Sequence, residues 1–167
     1  MSHFDDRTGN EPRPHPEPLP YTAPWCYELR FPCDPRGPGV ARVTLQAVLI
    51  AHGIGELVDK AALLTTELAT NSVQHSKGPA LVRLLWRCPV LRVSVWDTGS
   101  GLPDLGKPQR PSPQADTGRG LLILDALADR WGGCGTEEGP YGPGGKTIWF
   151  ELAVAGGPPL LGAALAA

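Results

Sequence analysis

Glu67, Asn71 and His75 stand four residues apart, twice over, in the run ELATNSVQH. On an α-helix a step of four turns a side chain by only about 40°, so all three share one stripe. Such a stripe sets a proton acceptor one turn before a hard-oxygen ligand, with an imidazole one turn further on. As general base, Glu67 could contribute about 10²–10⁴-fold to a reaction that removes a proton from a hydroxyl or water. His75 has two readings, a phosphate or hydrogen-bond contact and a satisfied structural histidine.

Two glycine-bearing motifs supply what such a stripe could act on. Asp97 ends an apolar strand on the same face as Leu91, Val93 and Val95, where a carboxylate is costly unless something satisfies it. It opens DTGSG, whose Gly99 and Gly101 let the backbone come close to a ligand. An ionised carboxylate only accepts hydrogen bonds, so an exocyclic amino group is its natural partner. Further on, TGRGLLI puts Gly118, Arg119 and Gly120 at the mouth of a helix. Free N–H groups and the helix dipole there favour an anion such as phosphate. Mg²⁺ takes one or two oxygens from protein and the rest from water and phosphate, a role open to Asn71. The full G-x-G-x-x-G is absent and a polar loop precedes the glycines, which argues against a dinucleotide-binding βαβ unit.

The elements that must position these groups are legible from periodicity. WCYELRF has strand composition and CDPRGPG breaks it. Between about Pro38 and His52, Val40, Val43, Leu45, Val48 and Leu49 keep a helical rhythm that Gly53 stops. A second helix is expected from about Glu56 to His75, with Leu57, Ala61, Leu64 and Leu68 on its buried face. Strands at about Ala80–Arg87 and Val90–Asp97 follow, joined at Cys88-Pro89. The irregular stretch from Thr98 to Thr117 holds four prolines and three glycines, and its length suggests a lid. A third helix at about Arg119–Arg130, a glycine-rich turn region and a strand near Lys146–Leu152 complete the pattern. In that last strand Ile148, Phe150 and Leu152 alternate with Thr147, Trp149 and Glu151. The order implies an α+β, two-layer sandwich, a mostly antiparallel mixed sheet with helices on one face.

Composition sets the outer limits. The 167 residues suffice for one domain, and 41% hydrophobic with 19% charged residues suits a globular chain. Three segments are expected: a disordered, proline-rich leader over 1–20, a folded domain over 21–153 and a flexible tail over 154–167. A net charge of −2 argues against a broad footprint for nucleic acid. The four cysteines form no CxxC pair, which suggests reduced and mostly buried thiols in a cytoplasmic protein. No apolar run reaches the roughly 20 residues that span a bilayer. The tryptophans Trp86, Trp96 and Trp149 read as packing residues.

Taken in order, ELATNSVQH, DTGSG, TGRGL and GKTIWFEL resemble the boxes of the histidine-kinase-like ATPase superfamily, the Bergerat fold. The resemblance covers about residues 25–153. Within that superfamily the chain is similar to the small bacterial anti-sigma factor serine/threonine kinases. The resemblance implies ATP and Mg²⁺ as cofactors, Glu67 as catalytic base and Asn71 as Mg²⁺ ligand. It also implies that Asp97 binds the adenine amino group, with Gly99 and Gly101 shaping that wall. Gly118, Arg119 and Gly120 would hold the phosphates, Thr147 would lie near the adenine, and His75 matches a histidine common in that branch. The implied partners are an antagonist protein and a sigma factor, with homodimers common and no direct contact to nucleic acid or membrane. A nucleotide-gated protein that sequesters its partner without transferring phosphate is the alternative.

Overall fold

A computed structural model describes residues 16–100 and 119–155. Strand β1 (Trp25–Phe31) leads into helix α1 (Gly37–Ala51) and then α2 (Val58–His75). Strands β2 (Ala80–Arg87) and β3 (Val90–Asp97) form a hairpin, with a cis Cys88-Pro89 bond at its turn. After α3 (Arg119–Leu127) come β4 (Arg130–Gly135), the two-residue strands β5 (Glu138–Gly139) and β6 (Gly142–Pro143), and β7 (Lys146–Ala153).

The main sheet runs β1-β2-β3-β7-β4, and every described pairing is antiparallel. The parallel component of the expected mixed sheet is therefore missing among the described residues. Each strand alternates, and one row of side chains meets the helices. Across the sheet the rungs match Leu84 to Val93 to Phe150, and Trp86 to Leu91 to Leu152, all of them buried. Helix α2 lies at the centre of the opposing layer, packed against α1, α3 and the sheet. Its Ala61, Leu64, Leu68 and Ala69 are buried in the one core. The helices and sheet therefore bury each other's apolar faces, which gives the α+β architecture read from the sequence.

Several expectations need correction. The first turn of the second helix, Gly55–Leu57, is 3₁₀, and the α-helix begins at Val58. On α1 the buried stripe is Ala41, Leu45 and Leu49, whereas Val40 and Val43 face solvent at 52% and 64% exposure. With alanine at several positions, two registers of a short apolar helix compete, and packing against α2 decided for the alanine-led one. The third helix stops at Leu127, because Asp129 is already bound to the sheet. Its N–H donates to the Glu151 carbonyl at 3.0 Å and its carboxylate accepts the Ala153 N–H at 2.6 Å.

All four cysteines are free, as expected, but all are exposed. Cys26 and Cys134 sit in strands at positions turned from the helices, Cys88 in a turn, and Cys33 just past β1, its thiol donating to the Ser76 carbonyl at 3.2 Å. Trp86 is a core residue, and its indole N–H donates to the Tyr21 carbonyl at 2.8 Å. Trp96 and Trp149 pack instead on the face of the sheet turned away from the described helices, where the Arg92 guanidinium lies 4.0 Å from the Trp149 ring. On that face Glu151 is buried between Arg92 and Arg130, at 3.7 and 3.8 Å. Burial pushes the Arg92 pKa down, and the Glu151 carboxylate opposes the shift.

Of the expected leader and tail, 1–15 and 156–167 lie outside the described residues, and Pro16–Pro20 has no regular secondary structure. Val154, assigned to the tail, is tied to the domain by its N–H, which donates to the Pro89 carbonyl at 3.0 Å. No described helix is long and apolar enough to cross a membrane.

Burial in this core has a measurable consequence. Leu64, on α2, is fully buried in the core. Leu64→Ala should lower the free energy of unfolding by about 2–5 kcal/mol, seen as a lower urea midpoint at unchanged slope.

Candidate functional site

Two groups of contacts are built on neighbouring residues of α2, Asn71 and Ser72. In the first, Asp97 closes β3 on the row that faces the helices, and it is only 3% exposed. The fold compensates this buried carboxylate from three sides. Ser72 donates its hydroxyl to Oδ2 at 3.0 Å, the Gly99 N–H donates to Oδ1 at 2.7 Å, and the Lys146 ammonium stands 3.7 Å from Oδ1. Each carboxylate oxygen thus accepts one hydrogen bond and keeps a lone pair for a further donor.

Gly99 is required by space, since its φ is not positive. A Cβ there would lie 2.7 Å from Asp97 Oδ1, 3.1 Å from Lys146 Nζ and 3.2 Å from the His75 carbonyl. Any side chain would crowd both charged head groups. Behind this wall, the Ser76 hydroxyl meets that of Thr98 at 3.2 Å and also accepts the Gly78 N–H at 3.2 Å. These contacts pin the end of α2 to the start of the chain that leaves β3.

In the second, Gly120 in the first turn of α3 is pressed against the polar stripe of α2. A Cβ on Gly120 would come within 2.9 Å of Asn71 Nδ2 and 3.7 Å of Glu67 Oε2. Glu67 and Asn71 are half-buried at this junction. The first turn of α3, the carboxylate and the amide are thus brought together.

The remaining expected site residues divide. His75 ends α2 with its imidazole exposed, and only its carbonyl reaches the Gly99 wall. Gly101 and Gly118 lie outside the described residues, as does the side chain of Arg119, whose backbone opens α3. Thr147 is not brought to these contacts. It pairs with Trp96 and Cys134 across the sheet and faces the opposite side, in a groove of about 510 Å³ with Trp96, Trp149 and Thr136. The residue opposite Asp97 on the helix-facing row is its neighbour Lys146. The strict alternation through Ile148, Phe150 and Leu152 is the physical reason, and no bulge interrupts it.

Sequence reasoning missed Lys146 and Ser72. Both carried a signal. Lys146 falls on the apolar row of β7, where a cation needs a partner. Ser72 continues the stripe of Leu64 and Leu68 at steps of four, where a buried hydroxyl has to find an acceptor.

A half-buried carboxylate and amide beside a glycine at the start of α3, and a satisfied aspartate held by the next residue of the same helix, mark a nucleotide-binding α+β module of the Bergerat type. Residues 56–156 match the Histidine kinase-, DNA gyrase B-, and HSP90-like ATPase family, and the chain belongs to it. The match runs from the start of the second helix through β7, leaving out β1 and α1. None of the curated proteins compared with the chain matches it. The family makes ATP the ligand of this domain and gives it a general kinase-like, ATP-using role.

The buried hydrogen bond offers a test separable from the exposed histidine. A bond to a charged group contributes about 1.5–3 kcal/mol. Ser72→Ala should therefore lower stability by that amount in a urea titration, whereas His75→Ala should change it by less than about 0.5 kcal/mol.

Proposed function

We propose that the protein is an ATP-dependent regulator of the anti-sigma factor type, a serine/threonine protein kinase that transfers the γ-phosphoryl group of ATP to a hydroxyl on an antagonist protein. The observation that carries this reading is the junction at Gly120, where the helix mouth meets a proton acceptor and an amide one turn apart. A protein that only bound partners would have no need of Glu67 at that position.

The residues fit the ligands such a reaction needs. Asp97 is fixed with acceptor capacity to spare and would take the adenine amino group. The Asn71 side-chain oxygen would ligate Mg²⁺, whose other positions go to water and phosphate oxygens. The bound cation would neutralise charge that develops on the phosphates. Gly118, Arg119 and Gly120 would hold the phosphate end through the N–H groups of the helix mouth.

Glu67 would accept the proton from the attacking hydroxyl as its oxygen bonds to phosphorus and the bond to the ADP oxygen breaks. That balance leaves a phosphoserine or phosphothreonine, ADP and a protonated Glu67 that returns its proton to solvent. Adding a phosphate to the antagonist would change its affinity through about −2 of new charge. The acceptor and any sigma factor are proteins; no contact with nucleic acid or membrane is part of the proposal, and the site of action is the cytoplasm.

Calorimetric titration with ATP tests the site before any partner is known. Binding should weaken when Mg²⁺ is chelated, and Asn71→Ala should abolish that dependence. Glu67→Gln should bind MgATP within about threefold of wild type yet lose about 10²–10⁴-fold in transfer of labelled γ-phosphate. A Glu67→Gln protein as active as wild type would remove the proposed base. Partner binding that needs ATP but yields no phosphorylated product would replace the kinase reading with nucleotide-gated sequestration.

A further inference from the structure

We propose that Lys146 is the second half of the base-reading pair: its ammonium donates to the ring nitrogen N1 of adenine while Asp97 accepts from the 6-amino group. The inference rests on the nucleotide-binding reading above and adds to it a specificity-determining residue. Three observations carry it.

The first is register. Lys146 is directly opposite Asp97 on the rung that ends the β3–β7 ladder, and both point to the helix side. Lysine on an inward row is rare without a partner, and its side chain here is only 14% exposed.

The second is distance. At 3.7 Å the ammonium compensates the charge of Asp97 but lies beyond hydrogen-bond reach of it. The three N–H donors of the lysine are therefore not consumed by the carboxylate. The carboxylate in turn is oriented by Ser72 and the Gly99 N–H, one on each oxygen, and needs no lysine hydrogen bond to hold its place.

The third is the shared approach of both head groups to Gly99. The position a Cβ would take on Gly99 is 2.7 Å from Asp97 Oδ1 and 3.1 Å from Lys146 Nζ, so the glycine lets both head groups stand side by side against the same backbone. An acceptor and a cationic donor side by side complement an edge that offers a donor beside an acceptor. Adenine presents that order in its 6-amino group and N1. The lysine contact would be charge-assisted, stronger than a hydroxyl in the same place could offer.

The test is a two-by-two binding cycle on the full chain, with ATP and 1-deaza-ATP, in which a C–H replaces N1. Wild type should bind 1-deaza-ATP roughly ten- to hundredfold more weakly than ATP. In Lys146→Met, ATP should weaken by a similar factor and the difference between the two nucleotides should collapse to within about twofold. Lys146→Gln, whose amide can still donate, should recover part of that difference, and it carries the cycle if the methionine variant fails to fold.

Equal binding of the two nucleotides by wild type overturns the proposal while leaving the nucleotide site intact. So does tighter ATP binding in Lys146→Met, which would mean that the lysine competes with the base for Asp97. Failure of wild type to bind either nucleotide would overturn the nucleotide reading itself, and the role of Lys146 with it.

Discussion

A carboxylate on the inward face of a sheet is the constraint around which this domain is arranged. Asp97 sits at the end of β3 where its neighbours two and four residues back are core valines. Leaving it charged there without partners would cost several kcal/mol. The chain answers with Ser72 from α2, the Gly99 N–H from the turn and Lys146 from β7. Three elements distant in sequence must therefore meet at one point. The register of β3 against β7, the rotation of α2 about its axis and the path out of β3 are all tied to that meeting.

Helix α2 carries most of this burden. One of its faces is buried through Ala61, Leu64, Leu68 and Ala69. Its polar stripe turns toward α3, where Gly120 admits close approach. Ser72 sits on the boundary between the two, so a residue of the apolar stripe serves Asp97 while its neighbour Asn71 meets Gly120 of α3. The ordinary periodicity of a helix accounts for this division. Adjacent residues point about 100° apart and so can address two neighbouring elements at once.

Much of the fold was legible in the sequence, and the departures have physical reasons. The spans of β2 and β3 emerge from alternation between Pro79 and Asp97, because a strand with one face in the core must alternate. Alternation also contained the correction at the end of the chain. It sets Ile148, Phe150 and Leu152 on the core row and so excludes Thr147 from it, and matching a threonine by motif shifted attention from Lys146 to its neighbour. Helix α1 was harder, since Ala41 carries little hydrophobic signal and Val40 and Val43 carry much, yet contact with α2 selected the alanine side. Ser72 is the kind of residue that composition undervalues. A buried hydroxyl is informative only once its acceptor, 25 positions away, has been located.

The concentration of site residues on α2 also governs how such a domain can change over evolutionary time. A substitution on α2 changes one contact at a time. An insertion or deletion inside α2 is another matter. One residue added between Leu64 and Ser72 would turn all that follows by about 100° and advance it by about 1.5 Å, taking the serine from Asp97 and the amide from α3 in one event. Length is thus locked in this helix, and substitutions are the only small steps open to it.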